Sequence, residues 1–161
     1  MILRPALTAA ALLAATQSAA LSCLPSDISR AYRDAAESAD SYVILQGAFR
    51  FDAAALPPAV QSGDGVAAAD AVPADFQGIA YDPAGGTRPY SGPVTLQPEC
   101  AGPWCGRIEP GGEVLAFVRL EDGALTLALD PCFANVFTDP SADTVATLEA
   151  CLAGEACGEA G

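Results

Sequence analysis

Catalysis needs nucleophiles, acids and bases, and this chain is most informative about those it lacks. It contains no His and no Lys, and its single Met is Met1. Without His there is no Ser–His or Cys–His nucleophile pair and no imidazole base. Without Lys there is no Schiff base and no Ser–Lys dyad. Zinc and copper sites built on His or Met are excluded for the same reason. What remains is 20 Asp and Glu against 7 basic residues, a formal net charge of −13, and 6 Cys. Paired carboxylates can hydrolyse glycosides or hold Ca²⁺. The nearest clusters are Asp64 with Asp70 and Glu121 with Asp122; neither has the spacing of an EF-hand, and both read as solvated acidic turns. Gly85-Gly86 and Gly111-Gly112 lie in turns with no Lys after them, so they are not phosphate loops. Trp104-Cys105-Gly106 lacks the second Cys of a thioredoxin-type motif, which leaves a structural disulfide as its reading. A chain this acidic repels phosphate backbones and anionic lipid. Nucleic acid and membrane are therefore not its expected partners, and no metal, cofactor or enzymatic activity is expected.

The first residues, Met1-Ile2-Leu3-Arg4-Pro5, carry one Arg, and Ala6 to Ala15 carry no charge. Small residues follow at Ser18-Ala19-Ala20, completing the order of a secretory signal peptide over 1–20. The apolar run, roughly 10 residues, is too short for a bilayer that needs about 20. Cys23 lies just beyond, but Ala20 and Leu21 stand in the wrong order for a lipidation site. The expectation is a periplasmic or secreted single domain over 21–157, with a short tail over 158–161. In an oxidising compartment an even set of 6 Cys favours full pairing. Cys100 and Cys105 flank Ala-Gly-Pro-Trp, a turn-forming insert, and Cys151 and Cys157 flank Gly154, a helix end. That leaves Cys23 for Cys132. This long bridge is the one that the chain-entropy account values most, at about 4–5 kcal/mol.

Pro25 to Ser38 reads as a helix with Ser26 as its N-cap and with Ile28, Tyr32 and Ala35 on one face. Tyr42 to Phe51 is the clearest strand, and Gly47 in its middle marks a bend of the kind a small closed barrel needs. Residues 53–74 lack a sustained period and read as a mobile loop with Gly63-Asp64-Gly65 at its tip. Short strands are expected over Phe76 to Tyr81, Val94 to Leu96 and Trp104 to Ile108. A hairpin joins Val114 to Leu120 with Ala124 to Leu129 across Glu121-Asp122-Gly123. Asp139-Pro140 starts a final helix, with Val145, Leu148 and Leu152 as its stripe, and Gly154 ends it. The sum is a mainly β fold: an OB-like closed barrel of roughly five or six short strands, with a helix near each end and disulfide staples.

These features together resemble the netrin-like (NTR) group, which includes the tissue inhibitors of metalloproteinases. The likeness rests on Cys23 near the mature start, Tyr42-Val43-Ile44-Leu45-Gln46-Gly47, Cys100-Ala101-Gly102-Pro103-Trp104-Cys105, and Gly112-Glu113-Val114-Leu115-Ala116-Phe117-Val118 leading to Asp122-Gly123 and Cys132. It implies an OB-type barrel used for binding. The inhibitors open with Cys-x-Cys, whose first residue is the mature N-terminus; here Leu21 and Ser22 precede Cys23 and no second Cys follows closely. Their zinc-binding amine therefore does not carry over.

The resulting expectation is an exported, non-catalytic binding module whose partner is another protein. Its surface is expected at Trp104, Pro103 and Arg107, because a large aromatic in a disulfide-braced loop suits recognition. A core plug is the competing role for Trp104. The alternative functions are an inhibitor of an exported hydrolase, acting through a loop near the N-terminus or Pro98 to Pro103, and a carboxylate-dependent hydrolase.

Overall fold

The computed structural model describes residues 21–61, 69–83, 85–155 and 157. The expected signal peptide, the tail over 158–161 and the Gly63-Asp64-Gly65 tip lie outside the described residues. In chain order the elements are α1 (Ile28–Glu37), β1 (Ser41–Arg50), a 3-10 turn (Ala53–Ala55), β2 (Val72–Tyr81), β3 (Thr87–Pro98), β4 (Cys100–Ala101), β5 (Trp104–Cys105), β6 (Glu113–Glu121), β7 (Ala124–Leu129), β8 (Val136–Thr138) and α2 (Ala142–Leu152).

Five strands close on themselves in the order β1-β2-β3-β7-β6 and back to β1, and β8 adds to the far side of β6. The β3–β7 pairing is parallel and the others are antiparallel. This is the OB-like barrel that the sequence pattern calls for. Closure depends on β1, which pairs with β2 over Leu45–Arg50 and with β6 over Ser41–Ala48. At the crossing Gly47 faces Gly78. A Cβ on Gly47 would be driven into the Gln77 carbonyl, and one on Gly78 into the Gln46 carbonyl. Only glycine lets the two backbones approach there, which is the physical content of the bend expected at Gly47.

β3 is far longer than the expected Val94 to Leu96. Its Pro89 and Pro93 pair with Ile79 and Asp75 of β2, while β7 pairs with β3 only from Thr95 onward. The missing proline N–H groups fall on the edge that has no partner there, where proline is tolerated. The hairpin turn between β6 and β7 places Asp122 at φ 50° and Gly123 at φ 82°, as an Asp-Gly primed turn requires.

Both helix starts are shifted from expectation. α1 is capped by Asp27, not Ser26, because the Asp27 carboxylate accepts from the Ser29 and Arg30 N–H groups at 2.8 and 3.2 Å. α2 is capped by Ser141, whose hydroxyl accepts from Thr144 N–H at 3.1 Å, whereas Asp139 adopts φ 46° and donates its N–H to Glu113 O. Gly154 ends α2 with φ 72°. The segment expected to be a mobile loop over 53–74 contains regular structure. It opens with a 3-10 turn, buries Leu56 and brings Val60 against Trp104, and from Val72 it already belongs to β2.

The pairs Cys23–Cys132, Cys100–Cys105 and Cys151–Cys157 are formed. Asp130 accepts from the N–H groups of Cys132 and Ala134, each at 2.8 Å, and so shapes the turn that offers Cys132 to Cys23. Among the described residues no helix is long and apolar enough to cross a membrane.

β6 explains how the layers are arranged. Val114, Ala116 and Val118 point into the barrel, where they meet Leu45, Phe49, Phe76, Leu96, Leu127 and Leu129. Leu115 and Phe117 point outward and are also buried, under a second layer made with Ile28, Ala31, Ile44, Phe137 and Leu148. A strand covered on both faces is apolar throughout, which is why its sequence does not alternate.

Candidate functional site

The residues singled out for recognition lie on the β4–β5 hairpin. Cys100 pairs with Cys105 and Ala101 with Trp104, across a turn in which Gly102 takes φ 57°. The root of the hairpin is fixed to the end of β7: Glu99 N–H donates to Leu129 O, and Gly106 lies against Leu129 O so closely that a Cβ there would collide. A further strip of chain joins it. Val60 bridges to Trp104, Gln61 N–H donates to Pro103 O at 2.7 Å, and Cys105 N–H donates to Ala59 O at 2.9 Å. The Gln61 side-chain amide donates to Cys105 Sγ at 3.1 Å.

Trp104 is partly buried, so it is not a core plug. Its ring leans over Gly102, where a Cβ would lie 3.6 Å from Cζ3. Pro103 is also partly buried. The exposed apolar surface comes instead from the adjoining strip: Pro58 and Ala59 are exposed, and Val60 is 60% exposed. Arg107 is also held by backbone oxygens. Its guanidinium donates to Leu56 O at 3.1 Å and to Pro57 O. It ties the 56–57 turn to the exit of the hairpin and lines a cleft there with Ile108 and Glu109.

The acidic pairs weighed for Ca²⁺ are only partly in view. Asp64 lies outside the described residues, Asp70 is exposed, and Asp122 shapes a turn. Among the described residues no group of three or more potential ligands converges. Asp40 and Glu99 do share a cleft of about 250 Å³ with Arg119, which pairs with Asp40 at 3.7 Å and with Glu121 at 3.5 Å on the exposed surface.

No family model, curated protein or solved structure matches this chain.

A second concavity was not foreseen. Between α1, the C-terminal end of α2 and the outer wall of the barrel lies a pocket of about 170 Å³, lined by Tyr32, Tyr42, Tyr81, Phe117, Ile44 and Leu152, with Ala35 and Ala36 leaving the space. Tyr81 donates its hydroxyl to Gln46 Oε1 at 2.5 Å, and the Gln46 amide donates to Glu113 Oε1 at 2.8 Å. Burial, together with the negative charges of Glu149 and Glu113, raises the Tyr81 pKa above its ordinary value of 10.0. The phenol is held neutral as a donor. The sequence placed Tyr32 on the apolar face of its helix and Tyr42 at the head of its strand. It could not show that Tyr81 and Phe117, far along the chain, join Tyr32 and Tyr42 at one pocket.

Proposed function

We propose that this chain is an exported, non-catalytic binding module of netrin-like type, and that its partner is another protein. The observation that carries the reading is the braced hairpin. A covalently closed loop, fixed at its root to β7 and widened by the 58–61 strip, presents Val60, Pro58 and the partly exposed Trp104 outside the barrel core. Such a surface is ordered before a partner arrives, which lowers the entropy cost of binding, and aromatic groups are frequent interface anchors. The OB-like barrel and the tie from Cys23 to Cys132 support the netrin-like assignment.

The test places a photo-crosslinking residue at Val60 of the oxidised protein and exposes it to extracytoplasmic extract. The expected result is one saturable adduct. It should be lost on Trp104→Ala while thermal unfolding is little changed. Absence of an adduct, or one indifferent to Trp104, overturns the proposal.

A second reading, a carboxylate-dependent hydrolase, draws on Asp40 and Glu99 sharing a cleft. Two acids across a cleft are the minimum for glycoside hydrolysis. Hydrolysis of a glycoside panel, abolished by Glu99→Gln, is what would favour it. The inhibitor reading predicts loss of activity of an exported hydrolase on adding the intact protein.

A further inference from the structure

We infer that the pocket between the helices and the barrel wall is a binding site for a small organic cation with a quaternary or tertiary ammonium head. The pocket is about 170 Å³, and a cavity of roughly 150 Å³ accommodates a guest the size of benzene. Four of its walls are aromatic: Tyr32 from α1, Tyr42 from β1, Tyr81 from β2 and Phe117 from β6. The face of an aromatic ring attracts a cation through its quadrupole, and more strongly where water is partly excluded.

Charge decides the sign of the guest. No lining residue carries a formal charge, so a bound ion has no counter-ion built into the wall. The field around the pocket is negative: Glu149 and Glu113 act on Tyr81, in a chain whose net charge is −13. No basic residue is in the lining. Arg33 donates to Cys157 O at 3.2 Å, and Arg119 pairs with Asp40 and Glu121. An anion would meet aromatic residues and acidic surroundings, with no basic residue in the lining. A cation meets both as attractive terms, and a soft, weakly hydrated ammonium loses the least on leaving water.

The pocket lies on the helix-covered face and shares no lining residue with the braced hairpin, so this site stands or falls independently of the protein-binding surface.

The experiment is a titration of the oxidised, intact protein with choline and with 3,3-dimethylbutan-1-ol, its uncharged carbon analogue, followed by NMR of the aromatic ring protons. The expected result is saturable choline binding that shifts the rings of Tyr32, Tyr42, Tyr81 and Phe117. Choline should bind about tenfold more tightly than the neutral analogue. Glu149→Gln, an exposed change outside the lining, should weaken choline severalfold and leave the analogue unaffected. Ala35→Leu, which fills the space, should remove binding of both while the unfolding temperature is kept. Equal binding of choline and its analogue overturns the inference in favour of a merely hydrophobic cavity. Preference for an anion such as benzoate, or no ring shift with choline, overturns it outright.

Discussion

The inside of the barrel and the layer outside it share one strand, β6, yet they are packed differently. Inside, Leu45, Phe49, Leu96, Ala116, Val118 and Leu127 are all sealed from solvent, with the tilted pair Phe49 and Phe76 at 4.9 Å between ring centres. Outside, Phe117 and Leu115 are just as buried, but the helices that cover them leave a pocket, two partly exposed tyrosines, Tyr32 and Tyr42, and a buried hydroxyl at Ser29 with no hydrogen-bond partner among the described residues. The difference shows how work is divided in a small barrel. The interior is sealed from solvent and determines whether the chain folds. The outer layer is held by α1 and α2 and tolerates space, polar tips and imperfect satisfaction. Function is therefore to be sought on the outside, at the pocket and at the braced hairpin.

The largest test of this division opens the outer layer at its covalent anchor. Cys23 and Cys132 are 109 residues apart, and in the chain-entropy account removing that bridge with a Cys→Ser pair costs about 5 kcal/mol. Denaturant unfolding measures it. Deleting side-chain volume from the interior comes next: Leu127→Ala should cost about 2–5 kcal/mol, because the closed barrel cannot collapse around the cavity. Tyr81→Phe probes the outer layer and should cost only about 1 kcal/mol, the net worth of one hydrogen bond. The same variant sharpens the pH behaviour. The folded Tyr81 pKa is raised, so the unfolded chain loses its proton first. Stability is fully present below pH 10.0 and declines as pH rises from there through the folded value. In a tyrosinate absorbance titration the step that disappears in Tyr81→Phe should be one that lies above 10.0. The smallest effect carries the opposite sign. Ser29→Ala removes a hydroxyl that is buried without a partner among the described residues, and should leave stability equal or up to about 1 kcal/mol higher.

The barrel was largely legible from residue patterns because its determinants are local. Gly47 marked the bend, Asp122-Gly123 marked the hairpin, and the insert between Cys100 and Cys105 marked a closed turn. Strand lengths were harder to read. Pro89 and Pro93 look like strand breakers until the sheet order shows that they face an edge without a partner. Asp27 and Ser141 displaced the expected caps because the choice among adjacent Ser and Asp residues depends on which side chain reaches the free N–H groups. The site was less legible still. Trp104 was visible as an oddity, but Val60, which supplies the exposed apolar surface, lay in a stretch without period. Arg107 looked like a surface charge, and only the fold reveals the carbonyl oxygens of Leu56 and Pro57 beside it. The aromatic pocket is assembled from four elements, and nothing in one element announces the others.

The most direct test of the contrast between the two layers is a matched pair of enlargements, Ala116→Leu inside the barrel and Ala35→Leu at the pocket, compared by denaturant unfolding. Ala116 is fully buried, and overfilling its site should cost about 1–3 kcal/mol. Ala35 borders open space, so its enlargement should be neutral or stabilising by up to about 1 kcal/mol. Equal losses at the two positions, or a greater loss at Ala35, would contradict the account.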